Sequence, residues 1–186
     1  MSKRATALPP DERRSMIVEA TLPLLLEHGD RVTTRQIAEA AGIAEGTIFR
    51  AFGDKDEVIT AVLDTALDVG PLDQAVAAID PSLPFEDAAV AAIVIMQQRV
   101  IDVWRLVSSV GMRFHDRARR PIVDSDALTK LFEANRDHMR VEPAVAARLL
   151  RALTLSTTHP TIVDEPMSPD EILTLFLHGV AGGASC

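Results

Sequence analysis

The sequence is short of aromatic residues and of cysteine, and each shortage narrows the class of protein that it encodes. It has no tyrosine, one tryptophan and 4% aromatic residues, so alanine, valine, leucine and isoleucine must build its core. Because β-sandwiches and barrels depend on β-branched and aromatic residues, this composition favours helices. The one cysteine is Cys186, which excludes a disulfide within the chain and disfavours a buried catalytic thiol. A reducing compartment fits this cysteine usage.

Long apolar runs are missing as well. The longest, Ala88–Met96, has about half of the roughly 18 residues that a membrane-spanning helix needs. Residues 1–10 contain two basic residues without the apolar segment of a secretory signal peptide. We therefore expect a cytoplasmic protein with no membrane partner.

The net charge of −8 is unevenly distributed along the chain. Residues 1–55 hold equal numbers of basic and acidic residues, so the whole negative balance lies in residues 56–186. A phosphate-binding surface can therefore exist on an N-terminal unit, although the acidic remainder would repel DNA.

What the sequence does contain is a series of helix signals. Hydrophobic residues make up 47% of the 186 residues, which suffices for a buried core without disulfides or metal ions. Apolar spacing, capping residues, glycine and proline together predict an all-α fold. The predicted helices span residues 11–28, 34–41, 45–52, 55–69, 84–110, 125–140 and 143–158, with a last helix opening at Ser168, whereas Gly70-Pro71 and residues 81–84 mark breaks.

The second and third helices carry the strongest local signals. Thr33 and Gln36 have the spacing of a capping box, which places the start of a helix at Thr34. Gly42 ends that helix after about eight residues, and another short helix opens at Glu45. Two short helices joined by a tight turn predict a helix-turn-helix, the alternative being a simple αα-hairpin with solvated charges.

This segment resembles the DNA-binding domain of the TetR family of bacterial transcriptional regulators. The resemblance rests on the small residues and Gly42 before the turn, the Gly-Thr-Ile-Phe run at residues 46–49, Phe52, and the Asp54-Lys55 start of the fourth helix. It implies a three-helix DNA-binding domain in residues 1–55, in which residues 1–10 form a disordered arm. Residues 56–186 would form a helical domain that dimerises and binds a small molecule.

The third helix has one side suited to a DNA major groove. Ile48 and Phe52 would face the second helix, which leaves the other side exposed. There, Gly46 would let the helix backbone approach DNA, Arg50 would reach guanine or a phosphate, and Glu45 would accept from cytosine. The predicted DNA-binding residues are Thr33, Thr34, Arg35, Glu45, Gly46, Thr47, Phe49, Arg50 and Lys55.

Several of these residues are included for separate reasons. A lysine in the first turn of a helix opposes the helix dipole by a few tenths of a kcal/mol, and a phosphate partner would offset that cost for Lys55. Threonine hydroxyls can donate to phosphate, and Arg35 is a base reader by resemblance. The family usually has tyrosine where this chain has Phe49, and a Ser or Thr cap where it has Ala44, so one phosphate-contacting hydroxyl and one helix cap are missing.

A stripe along the helix at residues 84–110 and just beyond it is predicted to line an effector pocket, the alternative being plain core. Its members are Met96, Val100, Val103, Trp104, Val107, Phe114 and His115. Because Gln97, Gln98 and Arg99 interrupt the apolar surface, the expected effector is uncharged or weakly acidic and largely hydrophobic.

The last two helices carry more apolar surface than a monomer hides, which predicts a homodimer built on a four-helix interface. The predicted interface residues are Val145, Leu149, Leu153, Ile172, Leu173 and Phe176.

Signals of catalysis or metal binding are lacking. The five histidines show no metal-ligand spacing, and the chain has no nucleophile elbow, P-loop or dinucleotide fingerprint. We therefore expect no metal, no cofactor and no enzymatic activity. The sequence predicts a ligand-responsive repressor that binds a palindromic double-stranded DNA operator as a homodimer. The alternative is an all-helical small-molecule binding protein or enzyme in which the helix-turn-helix is only a packing element.

Overall fold

A computed structural model describes residues 9–111, 114 and 122–179 of the chain. Within these ranges it has nine α-helices and no strand, which confirms the predicted all-α class. The helices are α1 (Pro10–His28), α2 (Thr34–Ala40), α3 (Glu45–Phe52), α4 (Lys55–Leu67), α5 (Gly70–Ala77), α6 (Phe85–Ser109), α7 (Asp126–Glu133), α8 (Pro143–Ser156) and α9 (Pro169–His178). None of them combines the length and apolar character needed to cross a membrane.

Gly70-Pro71 follows a break after α4, as predicted, but it also begins a helix, α5, that was not predicted. Its proline stands in the first turn, where the backbone N–H would have no intrahelical partner in any case. Pro71 is therefore compatible with the first turn of this helix, and Leu72 and Val76, which lie one turn apart, are buried along one side of it.

Helix α7 ends seven residues earlier than predicted, at Glu133 rather than at residue 140. The Asn135 side chain donates to the carbonyl of Leu131 at 2.9 Å, and the Asn135 backbone has left the helical region. A 3₁₀ turn, Arg136–His138, follows. The apolar spacing continues past the helix, so spacing alone did not locate its end.

The chain forms two compact units, and α6 contributes to both. The first unit contains α1–α4 and the end of α6 from Arg105 onward, and the second contains α5, α7–α9 and the rest of α6. The domain boundary proposed after residue 55 falls at the first residue of α4, inside the first unit.

The core of the first unit forms where α1 packs against α2, α3 and α4. Its fully buried side chains come from every one of these helices: Ile17, Leu25, Ile37, Ile48, Phe52, Ile59 and Leu63. Burial of a large aliphatic or aromatic side chain contributes about 1.5–3 kcal/mol each. The short helices α2 and α3 are therefore held by packing rather than by their own stability.

The core of the second unit is built around three phenylalanines. The Phe132 ring lies 5.9 Å from that of Phe85 and 5.7 Å from that of Phe176, measured between ring centroids. Around them pack the buried residues Leu72, Val76, Ala89, Ile93, Met96, Leu128, Leu150, Ile172 and Leu173. Helices α5, α6, α7, α8 and α9 thus share one hydrophobic core.

Candidate nucleic-acid interface

Helix α2 begins with a complete capping box. The Thr33 hydroxyl accepts from the Gln36 backbone N–H at 3.2 Å, and the Gln36 side-chain oxygen accepts from the Thr33 backbone N–H at 2.9 Å. The Thr33 hydroxyl also donates to the Gln36 side chain at 2.9 Å. This confirms the predicted helix start; the Thr33 hydroxyl is bonded within the cap, and its contact with a phosphate stays a prediction.

The turn between α2 and α3 is fixed by glycine at a left-handed position. Gly42 has a φ of 66°, and its N–H donates to the Glu39 carbonyl at 3.2 Å. The next N–H, from Ile43, donates to the Ala38 carbonyl at 3.0 Å. These two bonds form a Schellman motif, which closes α2 and sets the direction in which the chain enters α3.

Helix α3 has a buried side and an exposed side. Ile48 and Phe52 are 0% and 2% exposed and pack into the core of the first unit. The exposed side carries Glu45, Gly46, Phe49 and Arg50, with Thr47 half-buried between them. The side chains expected to face DNA are therefore available on one surface, and their role as DNA contacts stays a prediction.

Gly46 is not required by the packing of this protein. A Cβ atom added at Gly46 would have no neighbouring atom within 4 Å. Glycine in a helix costs up to about 1 kcal/mol relative to alanine. Nothing inside the protein offsets that cost, so the absent side chain leaves room for something outside it.

The exposed charged side chains Arg35, Glu45 and Arg50 of α2 and α3 all have hydrogen-bond partners within the protein. Arg35 pairs with Glu39 at 3.0 Å, and that hydrogen bond raises the pKa of the Arg35 guanidinium. The Thr34 hydroxyl donates to the Glu45 carboxylate at 2.6 Å, and Arg50 donates from Nε to the Gly46 carbonyl at 3.1 Å. An exposed ion pair such as Arg35–Glu39 contributes little stability, so DNA can replace it at small cost.

Lys55 has a partner that sequence reasoning missed. Its Nζ donates to the Asp30 carbonyl at 2.6 Å, which ties the start of α4 to the 3₁₀ turn Gly29–Arg31. The cost of a cation in the first turn is therefore offset within the protein, so it does not by itself indicate a phosphate partner, and the phosphate contact of Lys55 stays a prediction. The ammonium keeps two more protons with which it can contact a phosphate.

Sequence reasoning also missed an interaction between α1 and the buried side of α3. The Arg14 guanidinium lies 4.4 Å from the centroid of the Phe52 ring, within cation–π range. Neither Arg14 nor Asp30 has a local sequence signal for its role, because their partners lie far along the chain.

The predicted pocket residues are divided between the two units. Met96 is buried and Val100, Val103 and Trp104 are partly buried in the second unit. Val107 and Phe114 are buried and belong to the first unit, whereas His115 lies outside the described residues. The Trp104 ring lies 4.8 Å from the ring of His159, and burial lowers the pKa of His159.

The predicted interface residues divide into exposed and buried sets. Val145 and Leu149, one turn apart on α8, are 42% and 52% exposed, and they form an apolar surface. Leu153 and Phe176 are half-buried against the core of the second unit. Ile172 and Leu173 are corrected to core residues, because packing within the protomer leaves them 0% and 6% exposed.

Metal ligands do not gather in the part of the chain that the structure describes. No group of three His, Cys, Asp or Glu side chains there could hold a metal ion.

Comparison with known proteins supports the sequence resemblance. Residues 17–62 match the family model of bacterial regulatory proteins of the tetR family. The HTH-type transcriptional regulator HbdR of Aromatoleum sp. (strain CIB) is 41% identical over 59 residues, which span 31% of this chain and 26% of that protein. The chain thus matches about a quarter of the length of this relative.

Solved structures are similar in fold over nearly the whole chain. A TetR-family regulator from Mesorhizobium loti MAFF303099 has a TM-score of 0.62 at 15% identity, with 93% of this chain and 95% of that chain covered. The TetR-like regulator LfrR from Mycobacterium smegmatis, in complex with proflavine, has a TM-score of 0.52 at 20% identity, with 91% and 98% covered. These likenesses establish the fold.

Proposed function

We propose that this chain, whose residues 17–62 match the tetR family of bacterial regulatory proteins, is a repressor that binds a palindromic operator as a homodimer. In this proposal a small molecule binds the second unit and releases the operator. The contacts to DNA come from the exposed side of α3 and from the first turns of α2 and α4.

Gly46 carries the proposal. It lies on the exposed side of α3, where an added Cβ meets no protein atom, beside the exposed Phe49 and Arg50. A helix that enters a major groove needs a place where its backbone approaches base edges closely, and glycine provides it. In a helix-turn-helix that served only for packing, glycine at this exposed position would lower helix stability without any compensating contact.

The apolar surface of Val145 and Leu149 supports the homodimer. Two adjacent, exposed aliphatic side chains on one helix form a surface that a second copy would cover. A two-fold dimer places two recognition helices about one DNA turn, roughly 34 Å, apart and so predicts a palindromic operator.

The fold supports the binding of a small molecule. LfrR, which shares this fold, binds proflavine. For any such molecule to act as an effector here, it must bind the conformation that does not bind DNA more tightly than the one that does. Since Trp104 is the only tryptophan, its fluorescence should change as an effector binds and the operator is released.

The test is fluorescence anisotropy with labelled DNA from the region upstream of the protein's own gene, measured over a range of salt concentrations. The expected result is specific binding that weakens steeply with salt. Gly46→Ala should reduce operator affinity while leaving the thermal stability unchanged or slightly higher, since no protein atom is displaced.

Thr65→Ala, a change at an exposed position on α4, serves as the control and should leave both properties unchanged. Absence of operator binding, together with a Gly46→Ala protein that is merely more stable, would favour the alternative in which the helix-turn-helix only packs.

A further inference from the structure

Two arginines of the second unit lie close enough to repel one another. Arg99 on α6 and Arg151 on α8 are both partly buried, and burial is the main cause that lowers the pKa of each guanidinium. The charge of Arg99 lowers the pKa of Arg151 further, whereas Asp73 and Asp124 raise it, and Asp68 raises the pKa of Arg99. A like-charged pair in a partly buried position is unfavourable without an anion to balance it.

The neighbouring acidic side chains have other partners. Both Asp124 carboxylate oxygens accept from Arg148, each at 3.0 Å. Asp73 accepts from the Ser125 hydroxyl and, at 3.3 Å, from the Asp126 backbone N–H. They reduce the positive charge around Arg151, but their hydrogen-bonding capacity is directed elsewhere.

Two buried polar atoms of α8, one of them on Arg151 itself, lack a hydrogen-bond partner. Arg151 Nη1 and Thr154 Oγ1 are both buried, and neither has a hydrogen-bond partner among the described residues. Thr154 is 0% exposed as a whole residue. Residues three apart share a helix face, so both atoms belong to the same side of α8. Leaving such groups unpaired is costly, and one oxyanion could accept from both.

Arg99 on α6 donates from Nη2 to the Asp68 carbonyl, and apolar side chains lie beside it along the helix. Met96 and Val103 flank it at three and four residues' distance and therefore lie on the same side of the helix. Met96 is 4% exposed and belongs to the core of the second unit. A ligand with an anionic group at the arginines would thus have apolar side chains beside it.

We propose that Arg99, Arg151 and Thr154 bind the carboxylate of a small organic acid whose apolar part lies beside Met96 and Val103. Arg151 supplies a charge-assisted hydrogen bond from its unpaired Nη1, Arg99 supplies one from a nitrogen other than the Nη2 that bonds Asp68, and the Thr154 hydroxyl donates a third. As an effector site this inference rests on the proposed function; as a binding site it does not. It narrows the expected effector from an uncharged or weakly acidic molecule to an acid.

The probes are hexanoate, its neutral amide hexanamide, and inorganic phosphate, each titrated into the full chain by calorimetry and by thermal unfolding. Hexanoate is expected to bind and to raise the Tm, whereas hexanamide and phosphate are expected to do neither at the same concentration. Equal stabilisation by hexanamide would overturn the role of the carboxylate, and equal stabilisation by phosphate would overturn the role of the apolar part.

Variants separate a binding role from a structural one. Arg151→Met and Arg99→Gln should weaken hexanoate binding by about tenfold or more, as loss of a charge-assisted hydrogen bond requires. Arg148→Gln, which removes an exposed arginine of the same helix, should leave the affinity within about twofold.

The unliganded stability provides the second readout. If Arg151 serves binding, Arg151→Met should not lower the Tm of the free protein, because its buried Nη1 has no described partner to lose. A lower Tm with unchanged hexanoate affinity would show a structural arginine and overturn the proposal. No step of this experiment uses DNA, so its failure leaves operator binding untouched, and a failure of operator binding leaves this site untouched.

Discussion

The two units of this chain differ in how their polar side chains are satisfied. In the first unit Lys55 donates to the Asp30 carbonyl, and Thr34 donates to Glu45. In the second unit Arg151 Nη1 and Thr154 Oγ1 are buried and have no hydrogen-bond partner. No other buried side-chain nitrogen or oxygen of the described residues lacks one. Among the described residues, the first unit therefore has no buried side-chain donor without a partner, whereas the second unit has two.

This difference separates two kinds of function. The surface of α3 is formed by residues that are close in sequence, and its chemistry depends on what a helix exposes. The arginine site of the second unit is formed by α6 and α8, which are far apart in sequence, and depends on how they pack. The family match at residues 17–62 lies within the first unit.

The largest effect should come from the turn that precedes the helix-turn-helix. Gly29 has a φ of 61°, and a Cβ there would lie well inside van der Waals contact of the Ser109 carbonyl oxygen. Gly29→Ala should therefore lower the free energy of unfolding by about 3 kcal/mol, through backbone strain and the clash together. Chemical denaturation measures it, with Gly46→Ala as a control that adds the same methyl group in open space. Equal stability of the two variants would contradict the packing described for this turn.

The next largest effect compares the stability lost on removing a paired cation in the first unit with that lost on removing an arginine with an unpaired donor in the second. Lys55→Met removes a half-buried cation with a carbonyl partner and should cost about 2 kcal/mol of stability. Arg151→Met removes a half-buried cation with an unpaired donor and should leave the free energy of unfolding unchanged within about 0.5 kcal/mol. Equal losses of stability in both variants would contradict the proposed difference between the paired donor of Lys55 and the unpaired donor of Arg151.

The difference also accounts for what could be predicted from sequence. The capping box at Thr33, the glycine turn at Gly42 and the bounds of α3 depend on residues within a few positions of one another, and they were predicted correctly. The Asp30 partner of Lys55 and the proximity of Arg99 to Arg151 depend on tertiary packing, which no local pattern encodes. Ile172 and Leu173 were assigned to an interface because an apolar helix face looks the same whether a core or a partner covers it.

A smaller effect concerns sequence discrimination by the first unit. Arg50→Ala should reduce the preference for the operator over a mismatched site by about tenfold if the arginine contacts a base, near the low end of what one contact contributes. The loss is modest because Arg50 must first leave the Gly46 carbonyl. Arg35→Ala should act in the same direction. Competition binding with operator and mismatched DNA measures the change, and an equal loss on both would assign these arginines to phosphates.

The smallest effect concerns protonation of His159 in the second unit. Burial lowers its pKa from the ordinary 6.5, so the neutral ring is favoured in the folded protein. The stability that this shift contributes is present above pH 6.5 and is lost as the pH falls through the folded-state pKa. The Trp104 ring lies 4.8 Å away and should report the protonated ring as fluorescence quenching, with a midpoint below 6.5. His159→Asn should abolish that step, whereas His178→Asn, at an exposed position, should not. A midpoint above 6.5 would mean that an acidic group, rather than burial, controls the His159 ring, and would place an anionic partner in the second unit where none is described.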